Sequence, residues 1–186
     1  MRKQLGYVTD PPFLYGYSVA ENIAYGDNDR EVGLQEIMAA ARTANVHEYI
    51  TALPQGYDTR ITYDSEVIRR AELKRIALAR ALVRNPKILL IDDAMTGLDA
   101  VHELASRAAI KEASRGRTCV VATSRLYSVT SVDRIFVMQK GRVVEKGSHV
   151  ELMLRRGVYY NLFIDELDDR EADPYVHHSR ESLALR

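Results

Sequence analysis

Three carboxylates lie within eight positions of one another behind an apolar run: Lys87-Ile88-Leu89-Leu90-Ile91-Asp92-Asp93 is followed by Ala94-Met95-Thr96-Gly97-Leu98-Asp99. An apolar strand that carries an aspartate to its carboxyl end can hold magnesium beside a phosphate chain. Mg2+ takes hard oxygen ligands and is held by one or two carboxylates together with substrate phosphates. The chemistry indicated is binding and hydrolysis of a nucleoside triphosphate. That chemistry ordinarily also needs a glycine-rich loop, G-x-x-x-x-G-K-[ST], whose backbone amides surround the phosphates. None of the 186 residues forms one.

The elements that must position these acids belong to a chain of globular composition, 46% hydrophobic and 28% charged, enough to bury a core. Basic and acidic residues balance at 26 each and no long basic stripe appears, which sets nucleic acid aside as a partner. Cys119 is the one cysteine and sits in the strand-like Thr118-Cys119-Val120-Val121-Ala122, where a small buried apolar side chain is expected rather than a reactive thiol. No signal peptide is apparent, and no apolar stretch approaches the ~20 residues that span a bilayer. Membrane association is therefore expected through a partner or through sequence outside this chain.

Strand and helix patterns alternate, which predicts an α/β layered domain with a largely parallel sheet. The first strand is expected at Leu5 to Thr9, ahead of Pro11-Pro12. Ser18 and Glu21 form a capping-box pattern for a short helix through Ala24, and Gly26-Asp27-Asn28-Asp29 turns the chain. Leu34, Ile37, Met38, Ala41 and Ala44 mark a second helix, and Arg75 to Arg84 a third that stops at Asn85-Pro86. After Asp99 a helix places Val101, Leu104, Ala105 and Ala108 on one face. Asp133 to Gln139 and Arg142 to Glu145 flank Lys140-Gly141 as a hairpin. Ser148 and Glu151 repeat the capping box and open C-terminal helices packed through Tyr159, Tyr160, Leu162 and Phe163. Polar residues dominate from Asp168 onward, so 168–186 are expected to form a mobile tail.

Ser18-Val19-Ala20-Glu21-Asn22-Ile23-Ala24-Tyr25-Gly26, Ala77-Leu78-Ala79-Arg80-Ala81-Leu82-Val83-Arg84-Asn85-Pro86, the acid-tipped strand, Gly116-Arg117-Thr118-Cys119 and Gly141-Arg142-Val143-Val144-Glu145-Lys146-Gly147-Ser148-His149 occur in a telling order. Together they make the chain resemble the nucleotide-binding domain of an ATP-binding cassette (ABC) exporter of the multidrug-resistance P-glycoprotein group. The resemblance covers most of Leu5 to Leu167. It implies a partial P-loop NTPase-type ABC ATPase fold over 1–167, with a helical subdomain at about 18–84 and a mostly parallel sheet core in the remainder. The resemblance places Met1 just downstream of the family's phosphate-binding loop, so the N-terminal strands and that loop are expected to be missing from this chain rather than degenerate.

In the family two such domains close head to tail on two ATP molecules. The resemblance gives Asp92 the role of the acid that holds magnesium, directly or through water. It gives Asp93 the position of the glutamate that orients the attacking water, one methylene shorter. Thr96-Gly97-Leu98-Asp99 matches the motif that crosses the dimer interface, although Asp99 can equally be only the N-cap of the next helix.

Three positions depart from the family. Its signature, Leu-Ser-Gly-Gly-Gln, reads Ile68-Arg69-Arg70-Ala71-Glu72 here, and the upstream Thr62-Tyr63-Asp64-Ser65 replaces a glycine-containing stretch. Side chains then stand where helix-terminal amides must approach the partner's γ-phosphate. Arg69 or Arg70 either pairs with phosphate by charge or lies solvated on a surface that no longer closes. Asp10 replaces a glutamine that senses magnesium; it either ligates the ion or is a turn residue before Pro11. Ser124 replaces a histidine that contacts the γ-phosphate, and serine carries no positive charge. None of His47, His102, His149, His177 and His178 has a spacing that replaces it or binds metal; surface positions are expected for all five.

The expectation is thus the C-terminal portion of an exporter's nucleotide-binding domain, with ATP and Mg2+ as cofactors of the intact domain. Its partners would be a second such domain and transmembrane domains, at the cytoplasmic face of a membrane. Without the phosphate loop the chain alone is not expected to be an autonomous ATPase. The alternative is a degenerate, non-catalytic module that acts as a regulatory or interaction partner.

Overall fold

A computed structural model describes residues 4–61, 68–93 and 98–172. The chain divides into two compact units, Met1–Thr123 and Ser124–Arg186.

The first unit is built on three parallel strands in spatial order β1 (Leu5–Val8), β2 (Ile88–Asp92) and β3 (Thr118–Ala122). Val8 pairs with Ile91, and Asp92 with Ala122, so all three carboxyl ends meet at one edge of the sheet. Between β1 and β2 the chain forms α1 (Val19–Ala24), α2 (Leu34–Thr43), α3 (His47–Ala52) and α4 (Arg70–Leu82). The predicted capping box opens α1: the Glu21 amide donates to Ser18 Oγ at 3.1 Å and the Ser18 amide to the Glu21 carboxylate at 2.7 Å. Helix α4 is the hub, packed against α1, α2, β1 and α5 (Ala100–Ala113). Its Ile76 and Ala79 are fully enclosed in a core with Val19, Ile23, Ile50 and Leu89. The chain passes close to α4 at Gly26, where any Cβ would run into the Arg80 carbonyl oxygen.

Helix α4 begins at Arg70, more than a turn ahead of the expected Arg75. The intervening Glu72 and Lys74 carry no apolar signal, yet both are buried. Its end agrees with expectation: Asn85, before Pro86, turns into the left-handed region at φ 50°, which asparagine tolerates. Helix α5 differs in orientation. Val101 and Leu104 are 72% and 56% exposed, and the buried side is Glu103, Ser106, Ala109 and Ala113. The small alanines let α5 seat closely, leaving its larger apolar side chains outward.

The second unit contains an antiparallel hairpin, β4 (Ile135–Gln139) and β5 (Arg142–Gly147), then α6 (His149–Arg155) and α7 (Val158–Ala172). Lys140 and Gly141 both take positive φ, 49° and 75°, as a two-residue type I′ turn requires. Ser148 and Glu151 cap α6 as predicted. The Glu145 carboxylate accepts the Val158 and Tyr159 amides at 2.8 and 3.0 Å, an anion at the positive end of α7. Tyr159, fully buried, bonds through its hydroxyl to His149 Nδ1 at 2.9 Å and packs with Phe163, Leu152, Ile135 and Val137. Residues 168–172 continue α7, and 173–186 lie outside the described residues.

Candidate functional site

The apolar pattern of β2 places Leu89 and Ile91 in the core and brings Asp92 out, exposed, at the carboxyl edge of the sheet. Ligands of open parallel sheets bind at such edges. Asp93 then turns left-handed at φ 47°, a region that aspartate enters more readily than most residues. Its amide donates to the Ala122 carbonyl at 2.8 Å and its Oδ1 lies 3.4 Å from Thr123 Oγ1. The turn thus presents two successive carboxylates at the sheet edge, one exposed and one half-buried. Of the interface motif, Thr96 and Gly97 lie outside the described residues, as does the altered stretch Thr62 to Ser65.

Asp99 is the N-cap of α5. Its Oδ1 accepts the His102 amide at 2.9 Å and its Oδ2 lies 2.7 Å from His102 Nδ1; these bonds hold its carboxyl below the usual range. The local role read from sequence is therefore present.

The residues at the signature position open α4. Arg69 is its N-cap, Arg69 and Arg70 are exposed, and Ile68, Ala71 and Glu72 are buried. Glu72 accepts from Arg75 Nη2 at 2.9 Å, and Arg75 Nη1 donates to the Asn45 carbonyl at 2.9 Å. Asp10 is neither solvated nor waiting for a ligand: its carboxylate lies 3.0 Å from Lys74 Nζ, with the two side chains 10% and 2% exposed. A buried carboxylate beside an ammonium is electrostatically satisfied, so Asp10 does not fit the description of a free magnesium ligand. Lys74 and the Glu72–Arg75 pair were missed in the sequence. The i,i+3 spacing of opposite charges was the available signal for the second.

Ser124 follows β3 and is exposed. The described histidines, expected at the surface, are half-buried, and each has a hydrogen-bonding partner. His47 Nδ1 lies 2.8 Å from the Tyr57 hydroxyl, His149 is bonded to Tyr159, and His102 to Asp99. His177 and His178 lie outside the described residues. Cys119 is half-buried, and burial pushes its thiol up, away from nucleophilic use.

The hard carboxylate of Asp92, with Asp93 beside it, fits a magnesium ion held mainly by phosphate oxygens. The described residues contain no cluster of three or more His, Cys, Asp or Glu that would cage a metal alone. A second surface lies in the same unit: a cleft of about 340 Å³ lined by Tyr7, Phe13, Tyr15, Tyr25, Arg80 and Arg84. The Tyr15 and Tyr25 rings are 4.4 Å apart and Phe13 meets Tyr15 edge-on at 5.2 Å. Asn22 fixes this segment: fully buried, it accepts the Tyr15 amide at 2.8 Å and donates to the Tyr15 and Ser18 carbonyls, each at 3.0 Å. No helix among the described residues is long and apolar enough to cross a membrane.

These features meet a family match. The ABC transporter family model matches residues 1–96, more than half of the chain, and the chain belongs to that family. It is 47% identical over 168 residues to multidrug resistance protein homolog 65 of Drosophila melanogaster, an alignment covering 90% of this chain and 13% of that protein. It is 41% identical to multidrug resistance protein pgp-1 of Caenorhabditis elegans (91% and 13% covered) and 42% identical to human ATP-binding cassette sub-family B member 5 (87% and 13%). Among solved structures, a bacterial Atm1-family ABC exporter with ATP bound matches with a TM-score of 0.81 and 34% identity, over 89% of this chain and 29% of that one. The chain thus spans about an eighth of the length of these curated relatives.

Proposed function

We propose that this chain is the C-terminal portion of the nucleotide-binding domain of an ABC exporter, coupling ATP binding and hydrolysis to transport in the intact protein. The observation that carries the reading is the pair Asp92–Asp93 at the carboxyl edge of a parallel sheet, in a chain of this family. Asp92 would hold the magnesium of the bound nucleotide. Bound Mg-ATP supplies the phosphoryl group and the charge that neutralises its oxygens. Asp93, half-buried and oriented by its turn, accepts a hydrogen bond from the attacking water. Asp99 caps α5 beside the motif that meets a second nucleotide-binding domain. The signature position, Ile68, Arg69, Arg70, Ala71 and Glu72, presents two exposed arginine side chains toward that partner, and Ser124 offers a hydroxyl in place of a cation.

The aromatic cleft supports a place at the cytoplasmic face of a membrane. Phe13 and Tyr25, which line it, are 59% and 43% exposed, and exposed aromatic patches of this kind mark interaction surfaces. Transmembrane domains of the same exporter are the partner we assign to it. One observation favours a second reading, a non-catalytic module that pairs with a competent domain: the acid at the magnesium-sensing position is occupied by Lys74.

ATP turnover by the whole protein in membranes tests both. Asp92→Asn is expected to abolish magnesium-dependent hydrolysis at this site, and the 186-residue chain alone to hydrolyse no ATP above background. Equal turnover by parent and D92N would leave only the non-catalytic reading.

A further inference from the structure

The imidazole of His102 stands between two carboxylates from different helices. Nδ1 lies 2.7 Å from Asp99 Oδ2, and Nε2 lies 3.5 Å from Glu72 Oε1. The ring is 23% exposed, Glu72 4% and Asp99 64%. We infer that His102 is a positioning residue: in its doubly protonated form it clasps the start of α5 to the start of α4, and loss of one ring proton opens the clasp.

The argument is one of donors and acceptors. A neutral imidazole has one N–H and one lone pair, whereas an ionised carboxylate only accepts. With carboxylate oxygens facing both nitrogens, the neutral ring must turn a lone pair toward one of them, and only the imidazolium serves both. The shorter contact belongs to Asp99, which also accepts the His102 backbone amide. The neutral ring therefore keeps its proton on Nδ1, and the link to Glu72 is the one released.

The other groups around the ring fit this assignment. From α4, Glu72 faces the ring and shares its Oε1 with Arg75 Nη2 at 2.9 Å, so it stays held in place when His102 lets go. From the chain between α2 and α3, Asn45 contributes no charge; its carbonyl takes Arg75 and its amide reaches the Ala105 carbonyl at 3.5 Å. From the start of α5, Asp99 faces the ring through Oδ2.

The clasp rests on the geometry of the two helix starts and not on the exporter reading. If that reading also holds, the clasp ties the signature position to the interface motif within one domain.

Backbone amide NMR of the whole chain between pH 5 and 8.5 tests it. The amides of Ala71, Glu72 and Leu73 are expected to titrate in step with those of Asp99 to Glu103, with a common midpoint, and His102→Gln is expected to flatten both sets. Glu72→Gln keeps the Asp99–His102 pair, so the α5 amides should still titrate while those of α4 become flat. Ring 15N shifts should show both His102 nitrogens protonated at the acid end. Separate midpoints at the two helix starts, or a common titration that survives in H102Q, would overturn the inference. If H102Q does not fold, the Glu72→Gln comparison and the ring shifts decide alone: α4 amides that still titrate in E72Q contradict the clasp.

Discussion

On the proposed reading, Asp93 takes a position where the length of one side chain would set a rate. A carboxylate one methylene short of the attacking water sits on the order of 1 Å from its best position, and such a misplacement costs roughly a hundredfold. Asp93→Glu in the whole protein is therefore expected to raise ATP turnover at this site, by up to about a hundredfold, with little change in apparent ATP affinity; unchanged turnover would remove Asp93 from the proposed role. The Asp10–Lys74 pair makes a second residue-scale prediction. Lys74→Met leaves a nearly buried carboxylate without its cation and is expected to cost about 3–5 kcal/mol, whereas Asp10→Leu combined with Lys74→Met should recover most of that. Urea denaturation of the single and double variants measures both. A double variant no more stable than K74M would mean that Lys74 does not act through Asp10.

Elements are held by a few polar residues more than by their own propensities. Helix α1 has six residues, too few to stand alone, and Asn22 ties it to the aromatic segment by accepting the Tyr15 amide and donating to the Tyr15 carbonyl. Asn22→Ala is expected to cost about 1–3 kcal/mol in urea denaturation, since part-buried carbonyls and an amide lose their partner. The capping carboxylates set an acid limit. Hydrogen bonds to the Ser18 and Ser148 backbone amides hold Glu21 and Glu151 below their usual range, and bonds to His102 do so for Asp99. A group whose folded value is depressed stabilises above its unfolded value, about 4.3 for Glu, and that stability is lost as pH falls through the folded value. The melting temperature should therefore fall steeply below about pH 4.3, and less steeply in E21Q/E151Q. Equal slopes would show that the caps do not carry the acid sensitivity.

The same scale shows what sequence could and could not tell. The acid-tipped β2, the hairpin turn at Lys140-Gly141 and both capping boxes were legible because each rests on a local rule: strand composition, a two-residue turn, an i,i+3 side-chain pair. The start of α4 was not, because Glu72 and Lys74 are buried by virtue of partners elsewhere, among them Asp10, far away in sequence. Helix α5 shows an apolar face at helical spacing, but its buried side, toward α4 and α2, is taken by small and polar residues. Helix α3 offers only Val46 and Ile50 as buried apolar markers, too few to signal a helix. In the candidate site, the carboxylates at 92 and 93 and the cap at 99 were readable, whereas the bridging role of His102 requires two helices to be in place.

At the scale of the whole molecule, apolar surface remains outside. Val101, Leu104, Phe136, Met138 and Leu154 are 72%, 56%, 58%, 65% and 79% exposed. A chain that spans an eighth of its relatives' length would present such surface to the rest of the protein. Alone, the 186 residues are expected to associate as concentration rises, as read by light scattering. A monomer that stays monodisperse at high concentration would contradict this. The central claim, that this chain works as part of an exporter, is tested most directly by the size and location of the native protein. An immunoblot against the Gly33 to Tyr57 region, run on membrane and soluble fractions of its own cells, should show a membrane-bound band several times larger than the chain's 21.1 kDa. A band near 21 kDa confined to the soluble fraction would contradict the claim and leave a free-standing module in its place.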